Sequence, residues 1–159
     1  MIFVTVGTQL PFPRLVDEMC RIRFELNEEI IVQSANTTYS DAKLTVRPFL
    51  TPVEFEKAAT STRILVGHAG IGTLLTAKKF GVPLVVLPRK ASLGEHRNDH
   101  QVATVQQISD ITGVYVARSE TDLLFYLRRN DLENCTTSIS SEKAKLLKRL
   151  RGELDRRRN

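Results

Sequence analysis

Apolar and polar positions along the chain fall into two recurring rhythms. Residues 2–6 form a short β-branched run closed by Gly7, and then Phe12, Leu15, Val16, Met19, Ile22 and Leu26 mark one helical face across residues 12–27. Residues 30–33 and 43–47 predict two further strands, and Thr51 followed by Pro52 has the form of an N-cap and first turn. The pattern continues with a strand over 63–66, a helix over 70–80 and a strand over 83–87. That last strand is apolar throughout, which implies burial on both faces. A loop over 88–95 leads to a helix predicted from about 96 to 109, a strand over 114–117 and a helix over 121–129 capped by Ser119. Repeated alternation of strand and helix predicts a doubly wound α/β domain with a mostly parallel sheet over residues 1–130.

Residues 131–140 are polar and read as a linker, after which Leu146, Leu150 and Leu154 form a stripe on a basic, amphipathic helix over 141–159. The stripe must cover something: its own domain, a partner or a membrane surface. Composition changes this picture little. A chain of 159 residues fits one compact domain, and 42% hydrophobic with 26% charged residues is ordinary globular usage. The net charge of +5 is not spread evenly: residues 142–158 hold eight of the 23 Lys and Arg and three of the 18 Asp and Glu, leaving 15 of each sign elsewhere. An anionic surface or an acidic partner is therefore expected for that segment alone. Nucleic acid is not expected as a partner, because the basic excess is confined to one helix without interleaved aromatics. No apolar run approaches the roughly 18 to 20 residues that cross a bilayer, and the opening MIFVTVG lacks the flank and cleavage site of a signal peptide. A cytosolic or peripheral protein is expected. Cys20 and Cys135 match neither a disulfide framework nor a zinc spacing, which leaves them structural roles.

In open parallel sheets, ligands bind beyond the carboxyl ends of the strands, and three of the loops there are unusual. Gly7-Thr8-Gln9 follows the first strand, with a glycine that lets backbone approach a ligand and a threonine hydroxyl; a tight turn with a capping threonine is the plainer alternative. Gly67-His68-Ala69-Gly70-Ile71-Gly72-Thr73 follows an apolar strand and opens a helix. Small residues there leave amides available at the positive end of a helix dipole, which suits a diphosphate. His68 is either a satisfied loop histidine or a donor to that phosphate. The third loop, Gly94-Glu95-His96-Arg97-Asn98-Asp99-His100-Gln101, is dense in hydrogen-bonding groups with no folding rationale of its own. If a helix begins near His96, Arg97, His100 and Gln101 lie within one turn of a face and converge on one ligand, with a solvated helix start as the alternative. Groups with several donors and acceptors suit sugar hydroxyls.

At these residues the sequence resembles a known family. The order strand, His68-Ala69-Gly70-x-Gly72-Thr73, helix, Gly81-Val82-Pro83, apolar strand, Pro88, polar loop and Asp99-His100-Gln101 resembles the C-terminal donor domain of glycosyltransferase family 28 and its GT-B relatives. More narrowly, Val6-Gly7-Thr8-Gln9, Pro11-Phe12-x-Arg14-Leu15-Val16 and the phrase from Gly94 to Gln101 are similar to PssE-type subunits of bacterial exopolysaccharide synthesis. The resemblance spans about residues 1 to 130.

It implies a Rossmann-like fold forming one half of a GT-B enzyme, and a UDP-sugar donor used by direct, inverting displacement without a metal or other cofactor. Carried over, Gly7 and Thr8 line the interdomain cleft, His68, Gly70, Gly72 and Thr73 hold the diphosphate, and His100 with Gln101 contact the sugar. His68 and Arg97 are the candidate catalytic residues, stabilising the departing UDP, and Glu95, His96, Asn98 and Asp99 complete the candidate sugar site. Relatives often carry a ribose-binding glutamate in the helix after the Gly-rich loop; the matching position here is Thr76, which removes that carboxylate. The resemblance further implies a separate, membrane-anchored PssD-type partner that brings the lipid-linked saccharide acceptor and the general base, placing the chain peripherally on the cytoplasmic membrane face. The sugar is a hexose or glucuronate, with Arg97 as a carboxylate partner for the latter. Two other classes stay open: a non-catalytic, nucleotide-binding regulatory subunit, and a stand-alone NAD-binding module, which the absence of G-x-G-x-x-G disfavours.

Overall fold

The computed structural model describes residues 1–36, 38–40, 42–95, 105 and 108–136. In chain order its elements are β1 (Ile2–Thr5), α1 (Pro13–Ile22), β2 (Ile30–Gln33), β3 (Tyr39–Ser40), β4 (Leu44–Arg47), α2 (Pro52–Ser61), β5 (Ile64–Gly67), α3 (Ile71–Phe80), β6 (Leu84–Val86), β7 (Val114–Val116) and α4 (Glu120–Arg128). Val105 and Ile108 are also helical. The remainder of the helix expected over 96–109, and the helix expected over 141–159, lie outside the described residues.

The strands form one sheet in the order β3-β4-β2-β1-β5-β6-β7. Every neighbouring pair is parallel except β3 with β4. The mostly parallel, doubly wound sheet expected from the alternation is therefore present. β3 was not expected, since a two-residue strand carries no periodicity to read. The first helix is shorter than its apolar stripe: it starts at Pro13, where the missing N–H costs nothing, and tightens after Ile22 into a 3-10 turn at Arg23–Glu25. Thr51 caps α2 through a capping box with Glu54, and Ser119 caps α4 by accepting from the Asp122 amide at 3.1 Å.

Both faces of the sheet are buried. Ile2, Val4 and Val6 on one side, with Ile64 and Val66, pack against Leu15, Val16, Met19 and Ile22 of α1 and Leu123 and Leu127 of α4. Phe3 and Leu65 point the other way, onto Ala58 and Ala59 of α2 and Leu74 and Ala77 of α3. Because alternate residues of a strand face opposite layers, the apolar runs of β1 and β5 are explained by two cores rather than one. β1 sits centrally between β2 and β5, so the chain leaves it toward one side and returns on the other. A crevice is expected at the carboxyl ends of such a pair, and the turns that follow β1 and β5 open there.

Candidate functional site

The turn after β1 is set by a chain of hydrogen bonds from the sheet. Gln33 Nε2 donates to Thr5 Oγ1 at 3.4 Å, and the same hydroxyl oxygen accepts from the Gly7 amide at 3.2 Å. Gly7 then takes φ +82, in the left-handed region that side chains with a Cβ avoid. The turn after β5 lies beside it. A Cβ on Gly7 would stand 3.1 Å from His68 Cε1, and one on Gly70 only 2.3 Å from His68 Nε2. The imidazole therefore occupies the space that two absent side chains vacate.

Gly70 is the N-cap of α3 and offers no side chain to cap it. Its own amide donates to His68 O at 2.7 Å, and the first intrahelical bond runs from the Leu74 amide to Gly70 O at 3.2 Å. The amides of Ile71, Gly72 and Thr73 thus stand at the positive end of the helix without a side-chain cap. A cleft of about 230 Å³ lies on the His68 side of this turn, lined by Val6, Gly7, Thr8, Gln9, Leu10, His68 and Arg89. Free amides at a helix N-terminus suit an anionic oxygen group.

One arginine, Arg89, lines the cleft, and a second, Arg14, stands behind the loop that carries it. Arg89 is 3% exposed and donates to four backbone carbonyls: Val6, Leu10, Pro11 and Glu95. Burial pushes its pKa down, against the attraction of Glu95. Arg14 holds Glu95 in a two-point ion pair at 2.6 and 2.9 Å and also reaches Glu120 at 3.1 Å. Burial disfavours the ionised Glu95, yet the bonds from Arg14 and from the Lys90 amide outweigh it and hold this carboxyl below the usual carboxylate range. Glu120 is likewise lowered, first by its own backbone amide and then by Arg14. Carboxyls whose pKa is depressed on folding contribute stability that is complete above the unfolded value and is lost as pH falls through the folded one. Wild-type stability should accordingly drop below about pH 4.5, the ordinary glutamate value, more steeply than that of Arg14→Met. Urea titrations across that range would check this, and parallel acid limbs for the two proteins would contradict it.

Of the expected site residues, the structure gathers Gly7, Thr8 and His68 in one cleft and puts Gly70 and Gly72 at the helix mouth beside it. Thr73 is 5% exposed, and a Cβ on Gly67 would meet its methyl at 2.8 Å. Its side chain faces the sheet, which leaves its amide for a ligand. Glu95 is engaged by Arg14 and the Lys90 amide, so this member of the polar octet does have a folding role, contrary to expectation. His96, Arg97, Asn98, Asp99, His100 and Gln101 lie outside the described residues. Arg89 is a contributor that sequence reasoning missed. A lone arginine after Pro88 looks like a solvated loop cation, and nothing local announces carbonyl partners some 80 residues earlier. Thr76 donates back to Gly72 O at 2.9 Å. Among the described residues no group of three His, Cys, Asp or Glu side chains is placed to hold a metal ion, and no helix is long and apolar enough to cross a membrane.

No curated protein matches the chain. Solved structures do. The NMR solution structure of ALG13 superposes with a TM-score of 0.60 at 19% identity, covering 92% of this chain and 94% of that one. The crystal structure of Acinetobacter baumannii MurG gives a TM-score of 0.60 at 21% identity, over 83% of this chain but only 42% of MurG. The Methanocaldococcus jannaschii UDP-GlcNAc 2-epimerase, solved with UDP-GlcNAc and UDP, gives 0.54 at 10% identity, over 94% of this chain and 44% of the epimerase. At these identities the likeness is one of fold: a Rossmann-like domain that covers 94% of ALG13 but only 42% of MurG and 44% of the epimerase. The family model of the glycosyltransferase family 28 C-terminal domain matches residues 1–152, nearly the whole chain, and the protein therefore belongs to that family.

Proposed function

We propose that this chain is the donor-binding, catalytic subunit of a two-component inverting glycosyltransferase that uses a UDP-sugar. The observation that carries this reading is the His68 ring, wedged between Gly7 and Gly70 at the mouth of an uncapped helix. A diphosphate seated there accepts from the amides of Ile71, Gly72 and Thr73. The epimerase of similar fold, solved with UDP and UDP-GlcNAc, supports a uridine nucleotide as guest of such a domain. In the transfer, an acceptor oxygen attacks the anomeric carbon from the face opposite UDP, and the bond to the phosphate oxygen breaks with its electron pair leaving on UDP. The helix amides and His68 stabilise that charge, and the proton of the acceptor hydroxyl passes to a base on the partner. Arg97, His100 and Gln101, with their neighbours in the segment after Gly94, contact the hexose or glucuronate. No cofactor beyond the donor is required in this scheme.

The partner and its acceptor follow from the same reading. A glycosyltransferase of this architecture closes two such domains on the reaction, and in this reading the partner supplies the second. Five of the eight exposed large apolar side chains among the described residues lie in the loop or first helical turn after a parallel strand: Leu10 after β1, Phe49 and Val53 after β4, Ile71 after β5 and Leu93 after β6. An apolar rim on the site's own face supports a membrane-anchored subunit that presents a lipid-linked saccharide of exopolysaccharide synthesis. His68→Ala should weaken UDP binding about tenfold, the scale of one charge-assisted hydrogen bond, with the far-ultraviolet circular dichroism unchanged. Calorimetry giving wild-type UDP affinity for the folded variant would remove His68 from the site, and a larger melting shift with NAD than with UDP would overturn the donor assignment.

A further inference from the structure

Two arginines cross the carboxyl end of the sheet in opposite directions. From the loop after β6, Arg89 Nη2 donates to Val6 O at 3.1 Å and to Leu10 O at 2.7 Å, while Nη1 donates to Pro11 O at 2.6 Å. Val6 and Leu10 are the two stems of the Gly7-Thr8-Gln9 turn, so one nitrogen ties both ends of it. From α1, Arg14 returns the reach: Nη2 donates to Pro88 O and to Glu95 Oε2, each at 2.9 Å, and Nε to Glu95 Oε1 at 2.6 Å. The fully buried Phe12 ring lies near both guanidinium groups, 4.5 Å from Arg89 and 5.2 Å from Arg14. β5 runs between β1 and β6, so the pair spans the exit of the strand that carries His68.

We propose that Arg14 and Arg89 form a reciprocal clasp that fixes the Gly7–Gln9 turn in its ligand-ready shape and makes the loops after β1 and β6 open and close as one unit. The inference rests on the donor-site reading above, and both arginines are positioning residues: neither has to touch the ligand. The physical reason is preorganisation. A glycine-containing turn exposed on one side loses conformational freedom when it closes on an anion, and a turn whose stems are already tied has lost it beforehand. Lysine keeps the charge but presents it from one nitrogen, without the planar fork whose separate nitrogens reach Pro11 O as well as Val6 O and Leu10 O from Arg89, and both oxygens of Glu95 from Arg14, so Arg→Lys separates this function from simple electrostatics.

The first measurement needs no ligand and no variant. The Gly7 amide, bonded to Thr5 Oγ1, and the Lys90 amide, bonded to Glu95 Oε2, sit one on each loop. Amide exchange of the full wild-type chain should give them protection factors equal within about threefold, as one cooperative unit requires; protection differing by more than about tenfold would overturn the clasp. The second is a double-variant cycle on UDP affinity, read beside melting temperature. Arg14→Lys and Arg89→Lys should each speed exchange at both amides and weaken UDP about tenfold. The double variant should be no more than about twofold weaker than the worse single, because a clasp broken at one end is already open. UDP affinity within about twofold of wild type in both folded singles, or a double-variant loss equal to the product of the two, would reduce the arginines to general stabilisers. Should neither variant fold, the wild-type exchange comparison decides alone. Failure of wild type itself to bind UDP would sink the donor-site reading and the positioning role with it, and it shows before any variant is made.

Discussion

Gly70→Ala is expected to weaken UDP binding about a hundredfold in a domain that still folds. The backbone at Gly70, φ −98 and ψ 145, suits any residue, so no strain arises from the dihedrals. What the new methyl meets is His68, with Nε2 at 2.3 Å, Cδ2 at 2.9 Å and Cε1 at 3.0 Å. A side chain can swing aside where backbone cannot, and the variant therefore displaces the imidazole from its place between Gly7 and Gly70 while the sheet stays intact. The loss combines the His68 hydrogen bond with a ring now thrust into ligand space, which is why it should exceed that of His68→Ala. Gly72→Ala is the matched control. Nothing lies within 4 Å of a Cβ there, and alanine at a helical position is worth up to about 1 kcal/mol over glycine. That variant should melt no lower than wild type yet bind UDP about tenfold more weakly, since only an approaching ligand would meet its methyl. Placed in a His68→Ala background, Gly70→Ala should lose most of its effect, because the atom it collides with is gone. Calorimetric UDP affinities for wild type and the four variants test the set; an undiminished Gly70→Ala penalty without His68 would show that the imidazole is not the route.

Much of this architecture was legible because two kinds of signal coincided. The runs at β1, β5 and β6 are apolar and short, and the stretches between them carry helical spacing with caps at Thr51 and Ser119 that the structure retains. Gly7 and Gly70 were conspicuous for a related reason: a glycine at a strand exit announces a turn that a side chain would obstruct, and the structure supplies the obstruction in both cases as the ring of His68. What stayed hidden is long-range and polar. The clasp joins residues 74 to 83 positions apart, and its acceptors are mainly backbone carbonyls, which every sequence has at every position. Glu95 illustrates the same limit from the other side. Its type and place fitted a sugar ligand, but a carboxylate is equally fitted to an arginine fork, and only the fold brings Arg14 within 2.6 Å.

Phe3→Ala should destabilise the domain by about 3–5 kcal/mol and lower its melting temperature by roughly 10 °C. Phe3 is fully buried at the centre of the sheet and meets Phe55 edge-on, with ring centroids 5.1 Å apart at 80°. Its cluster includes Ala58, Ala59, Ala69 and Ala77, alanines from two helices and the Gly-rich turn. Alanine has no rotamer with which to fill a void, so the cavity left by the ring stays open and the upper part of that range applies. Phe3→Leu, keeping most of the volume, should recover most of the loss. The same residue separates stability from binding. Phe3 belongs to the strand that delivers Gly7 but does not line the cleft, so UDP at a hundred times its dissociation constant should return about 2.7 kcal/mol to wild type and variant alike. Equal ligand-induced stabilisation on a lowered baseline would place the ligand-gripping geometry in the turns, held from above by the arginines. A ligand increment that vanishes with the ring would instead make the core beneath β1 the element that sets the site.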